Sequence, residues 1–179
     1  MTVTFLRMEK RPANPPPPLP ADTALVRLAA PSVSFYRYLY DTVGAPHLWW
    51  LRRALPDNAL ADVLGDPAVS VHVLYRGGEP AGFFELDSRM RPDVNLSYFG
   101  LVPHAVGGGF GSAFLRAAVD EAWRSGPRAV TVNTCTADHP RALPAVLSAH
   151  GLPPGALGCG RILGRAVPSW HGHPEHLRL

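Results

Sequence analysis

The sequence predicts an α/β (α+β) fold with one mixed, mostly antiparallel central sheet flanked by helices. Three observations carry it. Val69 to Tyr75 and Pro80 to Leu86 are apolar runs joined across Gly77-Gly78, the signature of a tight hairpin. A third run, Val94 to Val102, follows after one loop and ends at Pro103 before a cluster of glycines. From there a stretch of helical periodicity leads to a further strand, Arg128 to Asn133, the pattern of a crossover between parallel neighbours.

The remaining elements follow in order. Val3 to Met8 alternates as a strand does, and Pro12 to Pro20 is a proline-rich connector of polyproline II character. Thr23 to Leu28 reads as a second strand. Ser32 or Ser34 caps a helix that carries Phe35, Tyr36, Leu39 and Tyr40 on one face and stops near Gly44 and Pro46. Leu48-Trp49-Trp50-Leu51 is a dense apolar knot, after which Asp57 caps a short helix through Leu60, Val63 and Leu64. In the hairpin strand, Ala81, Phe83 and Glu85 share one face and Gly82, Phe84 and Leu86 the other. Phe110, Ala113, Phe114 and Ala117 fall at helical spacing, and Asp138 begins a last helix with Pro140 in its first turn.

Composition narrows the class. The 179 residues suffice for one domain with a real core, and 46% apolar with 17% charged residues suits a globular chain. No apolar run reaches membrane-spanning length, and Met1-Thr2-Val3-Thr4-Phe5 lacks the order of a signal peptide, so a cytoplasmic location is expected. Cys135 and Cys159 form no CxxC pair, which argues against a disulfide framework or a zinc site. The net charge of +3 is almost all arginine, without basic stripes interleaved with aromatics. Neither a nucleic acid nor a membrane is therefore an expected partner.

The glycine cluster is the chemical signal. Glycines after a strand let backbone N–H groups turn toward a ligand, and a following helix adds positive partial charge, which together make a phosphate cradle. Three patterns compete for it. A lysine loop needs Gly-Lys before Ser or Thr, and Lys10 is the only lysine. A dinucleotide fingerprint begun at Gly107 reaches Gly109 but meets Ser112 at its sixth place. The third pattern, Gln/Arg-x-x-Gly-x-Gly/Ala after Val-x-Pro, is approached by Leu101-Val102-Pro103, then Val106, then Gly109-Phe110-Gly111. In this segment the chain resembles the GNAT superfamily of N-acetyltransferases. Phe35 to Gly44, Trp49-Trp50, Thr134-Cys135-Thr136 and Asp138-His139-Pro140 resemble a small bacterial subgroup of it, so the likeness spans roughly residues 34–143.

The resemblance implies acetyl-CoA as co-substrate, no metal, and the primary amine of a small molecule or peptide as acceptor, with a homodimer left open. It assigns the pyrophosphate to backbone N–H groups of Gly107, Gly108, Gly109, Phe110, Gly111 and Ser112. Val106 stands where the family carries Gln or Arg. It assigns stabilisation of the thioester oxygen, and pairing with the pantetheine arm, to the backbone of Leu101 and Val102. Losing such a donor typically costs ~3 kcal/mol of transition-state stabilisation. Glu85, in the otherwise apolar Gly82-Phe83-Phe84-Glu85-Leu86, is read either as a general base or as a solvated strand glutamate, with Asp87 or water as alternatives. Tyr36, Tyr40, Trp49 and Trp50 are read as an acceptor pocket or as core. The family's tyrosine, four residues before Gly-Phe, has Leu147 before Gly151 in its place; Cys135, His139 and His150 are the substitutes at hand.

The resemblance divides the chain into an acyltransferase domain, residues 1–144, and an atypical segment, 145–179. In that segment Glu175 is the only acidic residue, and Gly, Pro, Arg and His dominate. Reading the codons for Val146 to Leu152 one nucleotide later permits Tyr-Tyr-x-x-x-Gly-Phe, so a frameshift near Leu143 or Pro144 is one expectation and poor order another. The frameshift would remove the two strands that close the family's sheet, exposing a strand edge and reducing stability.

Overall fold

The computed structural model describes residues 3–47, 49–135, 137–140 and 142–149. Its strands are Val3–Met8 (β1), Thr23–Arg27 (β2), Val69–Arg76 (β3), Glu79–Asp87 (β4), Val94–Leu101 (β5) and Val130–Cys135 (β6). They form one sheet in the order β1-β6-β5-β4-β3-β2. All neighbours are antiparallel except β5 and β6, which the predicted crossover makes parallel. The helices are Val33–Gly44 (α1), Leu51–Ala54 (α2), Asp57–Gly65 (α3), Gly111–Trp123 (α4) and Ala142–Ala149 (α5).

Each face of the sheet takes its own helices. Strand alternation sends Phe83 toward α1, where it meets Tyr36 edge-on at 6.1 Å between ring centroids. It sends Phe84 and Phe99 toward α4, where Phe114 lies 5.6 and 5.0 Å from them. Both faces being covered, every residue from Ala81 to Asp87 is buried. Truncating a ring such as Phe114 to alanine would cost about 3–5 kcal/mol.

Local chemistry fixes the ends of the elements. Gly77 and Gly78 have φ of +59° and +88°, the paired left-handed geometry of the tight hairpin. Ser32 Oγ accepts the Phe35 N–H at 3.3 Å and caps α1. Pro56, not Asp57, occupies the cap position of α3. Asp57 lies in the first helical turn, where the helix dipole favours its charge, and it pairs with Arg37 at 2.7 Å.

Three further expectations shift. β6 starts at Val130 because Arg128 already donates to Pro92 O at 2.9 Å, while Ala129 O accepts the Val94 N–H at 3.0 Å. The buried face of α4 is Phe114, Leu115, Ala118, Val119 and Ala122, with Ala113 and Ala117 only half-buried. α5 begins at Ala142, and the Asp138 carboxylate accepts from Thr134 Oγ1 at the end of β6, at 2.8 Å.

The edge of β6 is covered. β1 pairs with it along its whole length, from Val3↔Cys135 to Met8↔Val130. The N-terminal strand thus stands where the resemblance places a closing C-terminal strand. α5 crosses from residue 144 to 145; the expectations for His150 and for the remainder of the tail fall outside the described residues.

Candidate active site

The site begins with a divergence. β5 pairs with β6 only over Val94, Leu96 and the residue between them, while β6 continues beside β1 as far as Cys135. The register of β5 against β4 slips at the same point: Glu85 faces Tyr98 but Leu86 faces Leu96, so Ser97 is a bulge. A bulge bends its strand and increases the local twist, which turns β5 away from β6 directly after Leu96. From Ser97 to Leu101 the strand therefore has a partner on one side only among the described residues.

Hydrogen-bonding direction alternates along an antiparallel strand. Val102 N–H donates to Ala81 O at 3.0 Å, so the backbone groups of Leu101 and Phe99 point the other way, into the gap. Of the two residues expected there, Leu101 turns its backbone groups into the gap and the Val102 N–H does not. Phe99 is an addition, visible only once the register is known.

β5 leads into the glycine loop through a single 3-10 turn at Pro103–Ala105. Gly107 and Gly109 have φ of +87° and +81°, which other L-residues rarely adopt. A Cβ at Gly108 would stand 2.7 Å from the Phe110 ring. The N–H groups of Val106 and Gly108 are spent inside the loop, on Pro103 O and Ala105 O at 3.3 and 3.2 Å. Phe110, itself buried, offers no side-chain cap to α4, and the first intrahelical bond is Phe114 N–H to Phe110 O at 2.9 Å. Gly111 and Ser112 thus open the helix without a side-chain acceptor. The Val106 side chain is half exposed and apolar.

On the α1 side of the gap lies an aromatic cluster. Trp49 packs 5.4 Å from Tyr40 and 5.1 Å from Tyr98, while Tyr40 meets Tyr98 edge-on at 5.0 Å. Two glycines make room: a Cβ at Gly44 would stand 2.5 Å from the Trp49 ring, and one at Gly100 2.4 Å from Val43. Of the four aromatics singled out in the sequence, Tyr36 and Tyr40 are buried, Trp49 is half-buried and Trp50 is exposed outside the cluster. Tyr98 completes it and had no distinguishing signal in the sequence.

Glu85 is fully buried in a central strand, which excludes a solvated glutamate. Nor is it an isolated carboxylate. Arg52 Nη2 donates to its Oε1 and the Tyr36 hydroxyl to its Oε2, both at 2.5 Å. Burial and the neighbouring Glu85 charge hold the Tyr36 hydroxyl well above its ordinary pKa, so it remains a donor. Burial alone would lower Arg52; the charge and hydrogen bond of Glu85 outweigh it and hold the guanidinium above its ordinary value. Arg52 also lies over the Tyr98 ring, 5.5 Å from its centroid. Asp87 is paired with Arg89 at 2.6 Å. Burial would raise its carboxyl, but the Arg89 hydrogen bonds prevail and hold it below the usual range.

At the far wall of the gap, Asp138 accepts from Thr134 Oγ1 at 2.8 Å and from Trp49 Nε1 at 3.4 Å. His47 and His139 stand together there, ring centroids 6.2 Å apart. Among the described residues no group of three metal-ligating side chains comes together, and no helix is long and apolar enough to cross a membrane.

No family model and no curated protein matches the chain in sequence. Solved structures match it in shape. An aminoglycoside acetyltransferase from an uncultured soil metagenomic sample superposes with a TM-score of 0.59 at 16% identity, over 73% of this chain and 88% of that one. The ribosomal-protein-S18-alanine N-acetyltransferase from Escherichia coli gives 0.55 at 14%, over 70% and 75%. A tandem GNAT protein from the clavulanic acid biosynthesis pathway gives 0.56 at 17%, over 85% of this chain and 50% of that one. The chain has the GNAT acetyltransferase fold.

Proposed function

We propose that the protein is an acetyl-CoA-dependent N-acetyltransferase acting on a primary amine. The observation that carries this reading is the parting of β5 from β6 after Leu96, on a strand that runs straight into an uncapped, glycine-lined helix start. An extended pantetheine arm fits the open side of Ser97 to Leu101 as an added strand would, bonded to Phe99 and Leu101. The residues of the loop fit the rest of the cofactor: left-handed glycines and a helix start without a side-chain acceptor suit a pyrophosphate. The expected backbone set thereby contracts to Gly107, Gly109, Phe110, Gly111 and Ser112.

Acetyl-CoA would supply an acetyl group activated as a thioester. The Leu101 N–H, aimed into the gap, would meet the negative charge that grows on the carbonyl oxygen. Trp49, Tyr98 and Tyr40 would wall the acceptor side. Glu85 would serve as the internal counter-ion that fixes Arg52 and Tyr36 beneath that wall, with water accepting the proton of the amine. The soil acetyltransferase has also been seen in complex with sisomicin, at a TM-score of 0.56 and 16% identity over 72% of this chain and 87% of that one. Its example and that of the ribosomal-protein enzyme support a small-molecule or peptide amine as acceptor.

A second reading, an acyl-CoA-binding or interaction domain on the same fold, is favoured by the apolar Val106 where the family's polar side chain would meet the phosphates. Calorimetric titration with acetyl-CoA, followed by thiol release over polyamines, amino acids, aminoglycosides and aromatic amines, separates the two. Binding with amine-dependent release supports the enzyme; binding without release supports the second reading.

A further inference from the structure

Among the described residues, one buried side-chain nitrogen has no hydrogen-bond partner: Arg52 Nε. Its position says what it lacks. Nε–H and the neighbouring Nη2 point the same way from the guanidinium and form the fork that holds both oxygens of a carboxylate. Only half of that fork is used. Nη2 donates to Glu85 Oε1, but the Tyr36 hydroxyl holds Oε2, each at 2.5 Å. The carboxylate is turned toward α1, and Nε goes without. A buried donor left unmade is costly, and the acceptor it lacks already stands on the next nitrogen of the same fork.

We infer that Glu85 is a shared carboxylate. It exchanges between the arrangement seen and one in which its two oxygens meet Nε and Nη2 while Tyr36 is released. Each arrangement serves two donors and leaves one buried donor unserved, the Arg52 Nε–H or the Tyr36 hydroxyl. Bond count therefore favours neither, as a two-state element requires. The exchange reaches the aromatic wall by two routes. The Tyr36 ring stacks on Tyr40 at 6.0 Å between centroids, and the Tyr40 hydroxyl accepts the Arg52 backbone N–H at 3.3 Å. The guanidinium itself lies over the Tyr98 ring. Turning the carboxylate onto the fork draws the guanidinium into a new plane and frees the Tyr36 ring, so Tyr40 and Tyr98 shift together. Arg52 and Glu85 are thus positioning residues for the wall. The use of that wall for an amine rests on the acetyltransferase reading; the exchange itself does not.

The test needs no ligand. In the full chain, isotope-labelled for NMR, the Arg52 Nε–H signal is assigned by its loss in Arg52→Lys. Tyr36→Phe removes only the competing hydroxyl. It is expected to move the Nε–H signal downfield, as a hydrogen bond to a carboxylate does, and to move the Tyr98 ring signals with it. An Nε–H signal that stays in place overturns the inference; one that moves while Tyr98 does not overturns the link to the wall. Urea unfolding gives a second measurement. The loss of folding equilibrium constant on Tyr36→Phe should be about five-fold smaller in the wild type than in Arg52→Lys, whose ammonium lacks the second nitrogen of the fork. Equal losses in the two backgrounds overturn the exchange. Acetyl-CoA is titrated calorimetrically in parallel. A wild type that does not bind it, with the NMR and urea results intact, overturns the transferase reading and leaves the exchange standing.

Discussion

Arg52 Nη2 and Glu85 Oε1 lie 2.5 Å apart with side chains only 8% and 0% exposed. The pair ties α2 to the central strand through the sheet's α1 face. It is neutral as a unit, and Tyr36 satisfies the second carboxylate oxygen. Removing one partner strands a buried charge, whereas removing both leaves no stranded charge and costs a packing defect and the acceptor of the Tyr36 hydroxyl.

Glu85→Ala is therefore expected to lower the unfolding free energy by about 3–5 kcal/mol, and Arg52→Met with Glu85→Met by much less than the sum of the single changes. Urea midpoints followed by circular dichroism check this. Equal additive losses would show that the two side chains do not act as a pair.

Gly44 lies under the Trp49 ring, with no space for a Cβ. Gly44→Ala should cost about 1–3 kcal/mol and displace Trp49. Amine KM is expected to rise while the affinity for acetyl-CoA holds, since the glycine loop is on other elements. Steady-state kinetics beside acetyl-CoA calorimetry read the two separately.

The loop makes two opposite predictions. Gly107→Ala or Gly109→Ala forces a side chain into left-handed backbone, at about 1–2 kcal/mol, and should weaken acetyl-CoA binding about ten-fold. Val106→Arg adds an exposed cation beside the proposed pyrophosphate and should tighten binding by up to about 1 kcal/mol. Calorimetry at two salt concentrations tests both, the second gain shrinking at high salt.

His72 gives the fold a pH dependence. It is buried and stacked 4.6 Å from Phe84, and burial, then the charges of Arg27 and Arg124, lower its pKa from 6.5 to about 4. Between those values the unfolded chain binds the extra proton, so His72 makes stability rise with pH across that window and stay level above 6.5. The full effect is on the order of 3 kcal/mol. His72→Gln should flatten this slope in urea titrations at pH 4.5, 5.5 and 7.

β1 shields β6, and Trp123 Nε1 on α4 donates to Met8 Sδ at 3.3 Å. Deleting residues 1–9 should lower the melting temperature and promote aggregation through the bared β6 edge. Thermal melts with light scattering would detect it; an unchanged melt would mean that another segment takes the place.

Much of the fold was legible because its signals are local. Gly77-Gly78 fixed a hairpin through backbone conformation, and Ser32 capped α1 across three residues. The glycine loop was legible for the same reason, down to Gly107 and Gly109. Asp57 misled because a carboxylate before a helix is a cap only if nothing else takes it, and Arg37 claims it. Glu85 stood out in its apolar strand, but its partner Arg52, 33 residues earlier, carried no mark that joined them.

The sequence by itself determined the strand and helix order, the crossover and the glycine-lined helix start. Each depends on periodicity or on backbone freedom within a few residues. Tertiary structure alone decided three things: that β1 pairs with β6, that the bulge at Ser97 turns β5 away from β6, and that Trp49 meets Asp138 across 89 residues. Those depend on which distant surfaces pack together. Register and burial select such contacts only when the whole sheet is assembled.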